Sequence, residues 1–268
     1  MLSSLLLCGL LGVGAGDSGK LEITNPRSTF GHLGAVRPKG KGILPGDVAH
    51  FSFDINNLKH DAKGQVSYSV AIEVRDGNGD LFYKQAPANA VAQNFFGGTA
   101  LPCSAHLEIP LGAKPGMYSW TVTIEDRLAK QSATLKGEGA VLAPDFGLVR
   151  IGTYADAEGK VPAPAVGVVG STLYVNFAAI NFARTKKDKQ PDLAVEMKIL
   201  DENGKATFAS PITGHVKSDI PENLKIIPLH YGVTLNRPGR FTVQLSARCE
   251  LCDKNVTVSI PIRILPLE

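Results

Sequence analysis

Tyr68-Ser69-Val70-Ala71-Ile72-Glu73-Val74-Arg75, closed by Asp76-Gly77-Asn78-Gly79-Asp80, is the stretch on which the fold turns. Tyr68, Val70, Ile72 and Val74 alternate with small or polar residues, the two-residue period of a strand with one buried face. The Asn-Gly pair that follows accepts the positive φ angles of a type I′ turn, so the segment reads as the first arm of a β-hairpin. The pattern returns further on. Leu193, Val195, Met197 and Ile199 alternate in the same way and end at Asp201-Glu202-Asn203-Gly204-Lys205.

Working outward, the repetition extends in both directions. Pro45-Gly46-Asp47 followed by Phe51, Phe53 and Ile55 matches Val169-Gly170-Ser171 followed by Val175, Phe177 and Ala179. Lys114-Pro115-Gly116 before Tyr118, Trp120, Val122 and Ile124 matches Arg237-Pro238-Gly239 before Phe241, Val243, Leu245 and Ala247. A further strand follows each, carrying Ala133 and Leu135 in one case and Val256, Val258 and Ile260 in the other. The same unit is therefore written twice. No stretch sustains a helical period, and turn signals separate short alternating runs, which excludes a βαβ sheet. The expected fold is all-β, two tandem immunoglobulin-like β-sandwich domains over residues 20–143 and 144–268. The boundary falls at Ala143-Pro144, after a signal peptide and short leader over 1–19.

The run Pro115-Gly116-Met117-Tyr118-Ser119-Trp120-Thr121-Val122-Thr123-Ile124-Glu125-Asp126 resembles the closing strands of the Ig-like and fibronectin-type-III-like modules of bacterial exported proteins. That resemblance implies an architecture, not an activity. Neither copy carries the Cys…Trp…Cys spacing of antibody-type domains.

Composition narrows the function. Of 268 residues, 44% are apolar and 20% charged, which excludes a disordered or collagen-like chain. A net charge of +3 is too mild for a nucleic-acid partner. The basic runs Arg37, Lys39, Lys41 and Arg184, Lys186, Lys187, Lys189 lie in Gly-, Pro- or Asp-containing stretches and read as solvated loops. Leu5 to Val13 is an apolar run of signal-peptide length followed by Val13-Gly14-Ala15, a small-residue cleavage site, although no Lys or Arg precedes it. The run is too short to span a bilayer, so a secreted or periplasmic protein without a transmembrane segment in its mature chain is expected. Cys8 follows Leu7, where lipid attachment calls for a small residue.

Candidate sites are few. Asp76, Asn78 and Asp80 begin like a calcium loop, but Leu81 and Pro87 stand where that loop needs Gly and an acid, and the second copy has Lys205 in place of Asp80. Cys249 and Cys252 lack a second ligand pair for zinc and lie in a turn, so a small disulfide is expected; Cys103 then remains over. None of the six histidines has a counterpart in the other copy; His106 and Glu108 share one strand face without a third ligand. Gly34 to Lys41 fails as a phosphate loop because Gly42 replaces the hydroxyl residue and Pro38 removes a donor. Tyr118 and Trp120 read as core, whereas Phe95 and Phe96, in a loop the second copy lacks, are the candidate stacking residues. Asn255-Val256-Thr257 is a glycosylation sequon.

No catalytic, metal or cofactor set emerges. The expected function is an exported, non-enzymatic binding or scaffold protein whose partner is a protein or cell-surface polymer; the alternative is a carbohydrate-binding module. An enzymatic reading would rest on Cys249 and Cys252, or on His106 and Glu108.

Overall fold

The structure, a computed structural model, describes residues 19–267. The expected export signal and its cleavage site lie outside the described residues. Fifteen strands and no helix make up those residues. In chain order they are β1 (Glu22–Thr29), β2 (Val48–Asn56), β3 (Gln65–Arg75), β4 (Leu81–Gln93), β5 (Ala100–Glu108), β6 (Gly116–Asp126) and β7 (Gln131–Val141). There follow β8 (Gly147–Tyr154), β9 (Val166–Val168), β10 (Thr172–Ile180), β11 (Leu193–Leu200), β12 (Ile212–Val216), β13 (Ile226–Thr234), β14 (Gly239–Cys249) and β15 (Lys254–Leu265).

The strands form four sheets, ordered β1-β2-β5, β4-β3-β6-β7, β13-β10-β8 and β12-β11-β14-β15-β9. All pairings between strands are antiparallel except that of β9 with β15. One apolar cluster joins the first two sheets, with Phe53 and Ile55 of β2 packed against Val70, Ile72, Val122 and Ile124. A second joins the other two through Val175, Phe177, Val195, Met197, Val243 and Leu245. This face-to-face stacking is a β-sandwich arrangement, and the two-residue period is its cause. In β14, for example, Phe241, Val243, Leu245, Ala247 and Cys249 are all buried at alternate positions. Burying each of the larger side chains contributes about 1.5–3 kcal/mol.

The β3–β4 connection is a hairpin, but its turn is not type I′. Only Gly79 has positive φ (86°), and Asn78 does not. Asp76 sets the loop by accepting at Oδ1 from the amides of Asn78 (2.9 Å) and Asp80 (3.1 Å). Asp201 does the same for Asn203 and Lys205, with Gly204 at φ 76°. The side-chain cap holds a five-residue loop with one left-handed glycine, where a two-residue turn would need two left-handed positions.

The two pairs of sheets meet at Asp47. Its carboxylate, 4% exposed, accepts from Arg37 Nη1 at 2.8 Å, from the Val48 amide at 2.8 Å and from the Arg150 amide at 2.7 Å. Arg150 has φ of 53° at a bulge in β8, which turns its N–H out of the ladder and toward Asp47. Its guanidinium Nε donates to the Gly46 carbonyl at 3.0 Å. Beside this contact, the 30–35 loop after β1 packs Phe30 and Ala35 against the cluster that contains β10 and β14. The loop comes so near β8 that a Cβ on Gly31 would stand 3.0 Å from Gly152 Cα. Nothing in the apolar periodicity foretold that Phe30 would belong to the later core.

Asp47→Ala is expected to cost about 3–5 kcal/mol, because it strands the Arg37 charge and a buried amide. Ser171→Ala, at the exposed counterpart turn, should stay within about 0.5 kcal/mol. Urea denaturation of both variants measures the contrast.

Candidate functional site

A cleft of about 750 Å³ opens inside the first pair of sheets. One wall is Ala49 and Phe51 of β2 with Ala105 and Leu107 of β5; the other is Ile72, Val74, Trp120, Val122 and Gly139. Stacked sheets lie about 10 Å apart, so facing side chains must be large to fill the space. Elsewhere in the same core Phe53, Ile55 and Tyr68 do fill it and are fully buried. At the cleft four inward positions, Ala49, Ala105, Gly137 and Gly139, carry small residues beside the larger Leu107, Phe51, Trp120 and Tyr118.

Strand register makes the deficit plain. Ala49 pairs with Leu107, as Leu173 pairs with Val233 in the later sheets; Phe51 pairs with Ala105, as Val175 pairs with Tyr231. Trp120 pairs with Gly137 and Tyr118 with Gly139, as Val243 pairs with Ile260 and Phe241 with Ile262. Thus Ala49, Ala105, Gly137 and Gly139 stand where the later sheets carry Leu173, Tyr231, Ile260 and Ile262. Three of those four larger residues are buried core, and Tyr231 packs against it.

Trp120 packs against the first core, as expected from its place on the apolar strand face, and Tyr118 is buried within that core. Trp120 is only partly buried, its indole covers Gly137, where any Cβ would overlap the ring, and it meets the Phe51 ring at 4.8 Å. The cleft therefore has an aromatic floor.

Residues 36–43 form a strap across the open edge between β1 and β7. The Arg37 amide donates to the Ser28 carbonyl at 2.8 Å, and the Ile43 amide to the Ala140 carbonyl at 2.8 Å. Between these anchors lie Lys39, Gly40 and Lys41 at the rim of the cleft, with Arg27 nearby. Arg37 is committed elsewhere, donating to Asp47 and to the carbonyls of Thr29 and Val48. Among the described residues Arg27, Lys39 and Lys41 form no ion pair, and Glu138 is the only acid lining the cleft. The basic stretch read as a plain solvated loop is thus the rim of an apolar cavity.

The residues singled out from sequence lie elsewhere. Phe96 is 97% exposed and Phe95 half-buried, in a loop tied by Asn94 Nδ2 donating to the Gly98 carbonyl. That loop precedes the first residue of β5, while the cleft uses its last residues, roughly 17 Å away at the ordinary rise of a strand. Cys249 and Cys252 are joined by a disulfide with Cα atoms 5.5 Å apart, closing the β14–β15 turn. Cys103 is buried in the first core. His106 lies opposite His50, ring centroids 5.7 Å apart, on the outer face of the β1-β2-β5 sheet, and His32 reaches Ser104 Oγ at 2.9 Å. Among the described residues no group of three or more His, Cys, Asp or Glu is arranged to hold a metal.

His50 is the most perturbed of these groups. Burial pushes it down to about 4, helped by the neighbouring His106, Arg37 and His32 and opposed by Asp47. Its Nδ1 is buried without a partner.

No protein-family model matches the chain, and no curated protein matches it. Among solved structures it is similar to the C-terminal domain of the Streptococcus agalactiae AgI/II polypeptide BspA, with TM-score 0.29 and 8% identity over 91% of this chain and 99% of that one. It is also similar to the C-terminal domain of the Streptococcus pyogenes antigen I/II-family protein AspA, with TM-score 0.29 and 9% identity over 91% and 100%. A family 123 glycoside hydrolase from Clostridium perfringens gives TM-score 0.33 and 11% identity over 56% of this chain and 30% of that one. Superpositions of this quality carry no conclusion about what the chain binds. Among the described residues no helix is long and apolar enough to cross a membrane.

The His50 shift makes stability depend on pH. Below about 6.5 the unfolded chain takes up a proton at His50 that the folded chain refuses until about 4. The contribution is complete above that window and is lost as pH falls through it, by up to about 3 kcal/mol. His50→Gln should flatten the stability profile between pH 6.5 and 4 relative to the unaltered protein, as read by chemical denaturation.

Proposed function

We propose that this is an exported, non-enzymatic binding protein of two tandem immunoglobulin-like sandwiches, residues 20–143 and 144–268, acting at the cell envelope or outside the cell. The tandem reading is supported by strand order, since β1-β2-β5 and β4-β3-β6-β7 correspond to β8-β10-β13 and β12-β11-β14-β15. It is supported too by matched backbone irregularities: Asn25 with Arg150, Asn57 with Asn181 and Lys130 with Asp253 all have positive φ. The parallel bridge Ile43 to Val141 matches the pairing of β9 with β15.

The observation that carries the binding function is the hollow itself. On the tandem plan proposed here, four inward positions of the first sandwich carry Ala or Gly where the second carries Leu, Tyr or Ile. A space of about 750 Å³ stays open there although Phe51 and Trp120 are larger than Val175 and Val243. An unfilled apolar cavity costs stability, and a ligand that fills it restores what was lost. The expected partner, a protein or cell-surface polymer, would then present an apolar group of small-molecule size to this cleft. Phe96 favours a second reading, a glycan contact on its exposed ring, and a glycan array run with the chain and with Phe96→Ala tests it.

The chain has one tryptophan, and it lines the cleft. Titration with an apolar dye such as 1-anilinonaphthalene should change Trp120 emission and raise the melting temperature. Gly139→Leu places a side chain where a Cβ meets nothing within 4 Å and should abolish both responses while remaining folded. Equal dye binding by Gly139→Leu would place the ligand elsewhere.

A further inference from the structure

From the make-up of the cleft we infer that its ligand is a single-chain anionic amphiphile, specifically a free long-chain fatty-acid carboxylate. This rests on the cleft being the binding site. The cavity has two chemically distinct parts. Its interior between the sheets offers Phe51, Ile72, Val74, Leu107 and Val122 with the Trp120 indole, walls suited to methylenes. Its rim carries Lys39 and Lys41, neither ion-paired among the described residues, against the single acid Glu138; Arg27, opposite Ser52, faces the outer side of its sheet.

Charge complementarity fixes the orientation. A carboxylate at the rim meets the two lysines on the strap, while remaining hydrated enough to avoid the cost of burying an ion. A cationic head would face those same charges, and a neutral head would gain nothing from them. The volume, about 750 Å³, falls within the usual range for small-molecule sites and is enclosed on two sides by sheet, which suits one chain. Arg37 is excluded from head-group recognition, because Asp47 and two backbone carbonyls already occupy its guanidinium.

The test is a Trp120 fluorescence titration of the full chain, at submicellar concentrations, with decanoate, dodecanoate and tetradecanoate. Dodecan-1-ol, dodecyltrimethylammonium and lysophosphatidylglycerol serve as competing probes. Each two-carbon step should tighten carboxylate binding about fifteenfold, the effect of burying two methylenes. Dodecanoate should bind at least tenfold more tightly than the alcohol, and the ammonium most weakly. The double variant Lys39→Gln, Lys41→Gln should weaken dodecanoate at least tenfold and leave the alcohol within about twofold, which separates loss of charge recognition from loss of the cavity. Equal binding of alcohol and carboxylate, insensitivity to chain length, or tighter binding of the lysophospholipid would each overturn the inference. If the apolar dye binds and no carboxylate does, the fatty-acid inference falls and the cleft stands. If neither binds, the cleft reading falls as well.

Discussion

The buried Asp47 carboxylate is the constraint through which the parts of this molecule are joined. An ionised carboxylate can be withdrawn from water only where other groups replace the lost hydration, and here an arginine and two backbone amides do so. Those three partners come from different places: the strap, the start of β2 and the bulge of β8. Satisfying one charge therefore orders the junction between the two pairs of sheets and anchors one end of the segment that crosses the cleft. Ser171, at the turn before β10 in the later sheets, is exposed and its hydroxyl donates only to the nearby Val168 carbonyl, so no comparable buried charge is built there.

The same geometry accounts for the division of labour between the two cores. The later sheets are filled by Leu173, Ile260 and Ile262 and hold the Phe30 ring as well, so their interior is closed. The earlier sheets are filled at one end by Phe53, Ile55 and Tyr68 and left hollow at the other. Placing the proposed binding function in an incompletely packed part of the scaffold would be an ordinary compromise between stability and binding. Gly137 illustrates it: its missing side chain gives the Trp120 indole a surface to lie on, and so shapes the cavity floor.

Much of the fold was legible in the residues. Alternation in Tyr68 to Val74 and in Phe241 to Ala247 specifies strands with one buried face, because a two-residue period has no other stable reading. The Asp76 and Asp201 turns were recognisable as turns, though their type depends on a side-chain cap that dipeptide preference does not reveal. The cleft was half-legible: Ala49, Gly137 and Gly139 fall opposite Leu173, Ile260 and Ile262 when the two proposed repeats are aligned. Their meaning is volumetric, however, and appears only when both sheets are in place. By itself, then, the sequence determined the all-β character, the strand faces and the turns, since these follow from local period and backbone preference. Only the tertiary structure decided that Asp47 is a junction, that Phe30 joins the later core, and that Lys39 and Lys41 border a cavity. Each of those facts depends on groups distant in the chain being brought within a few ångströms, which no local pattern encodes.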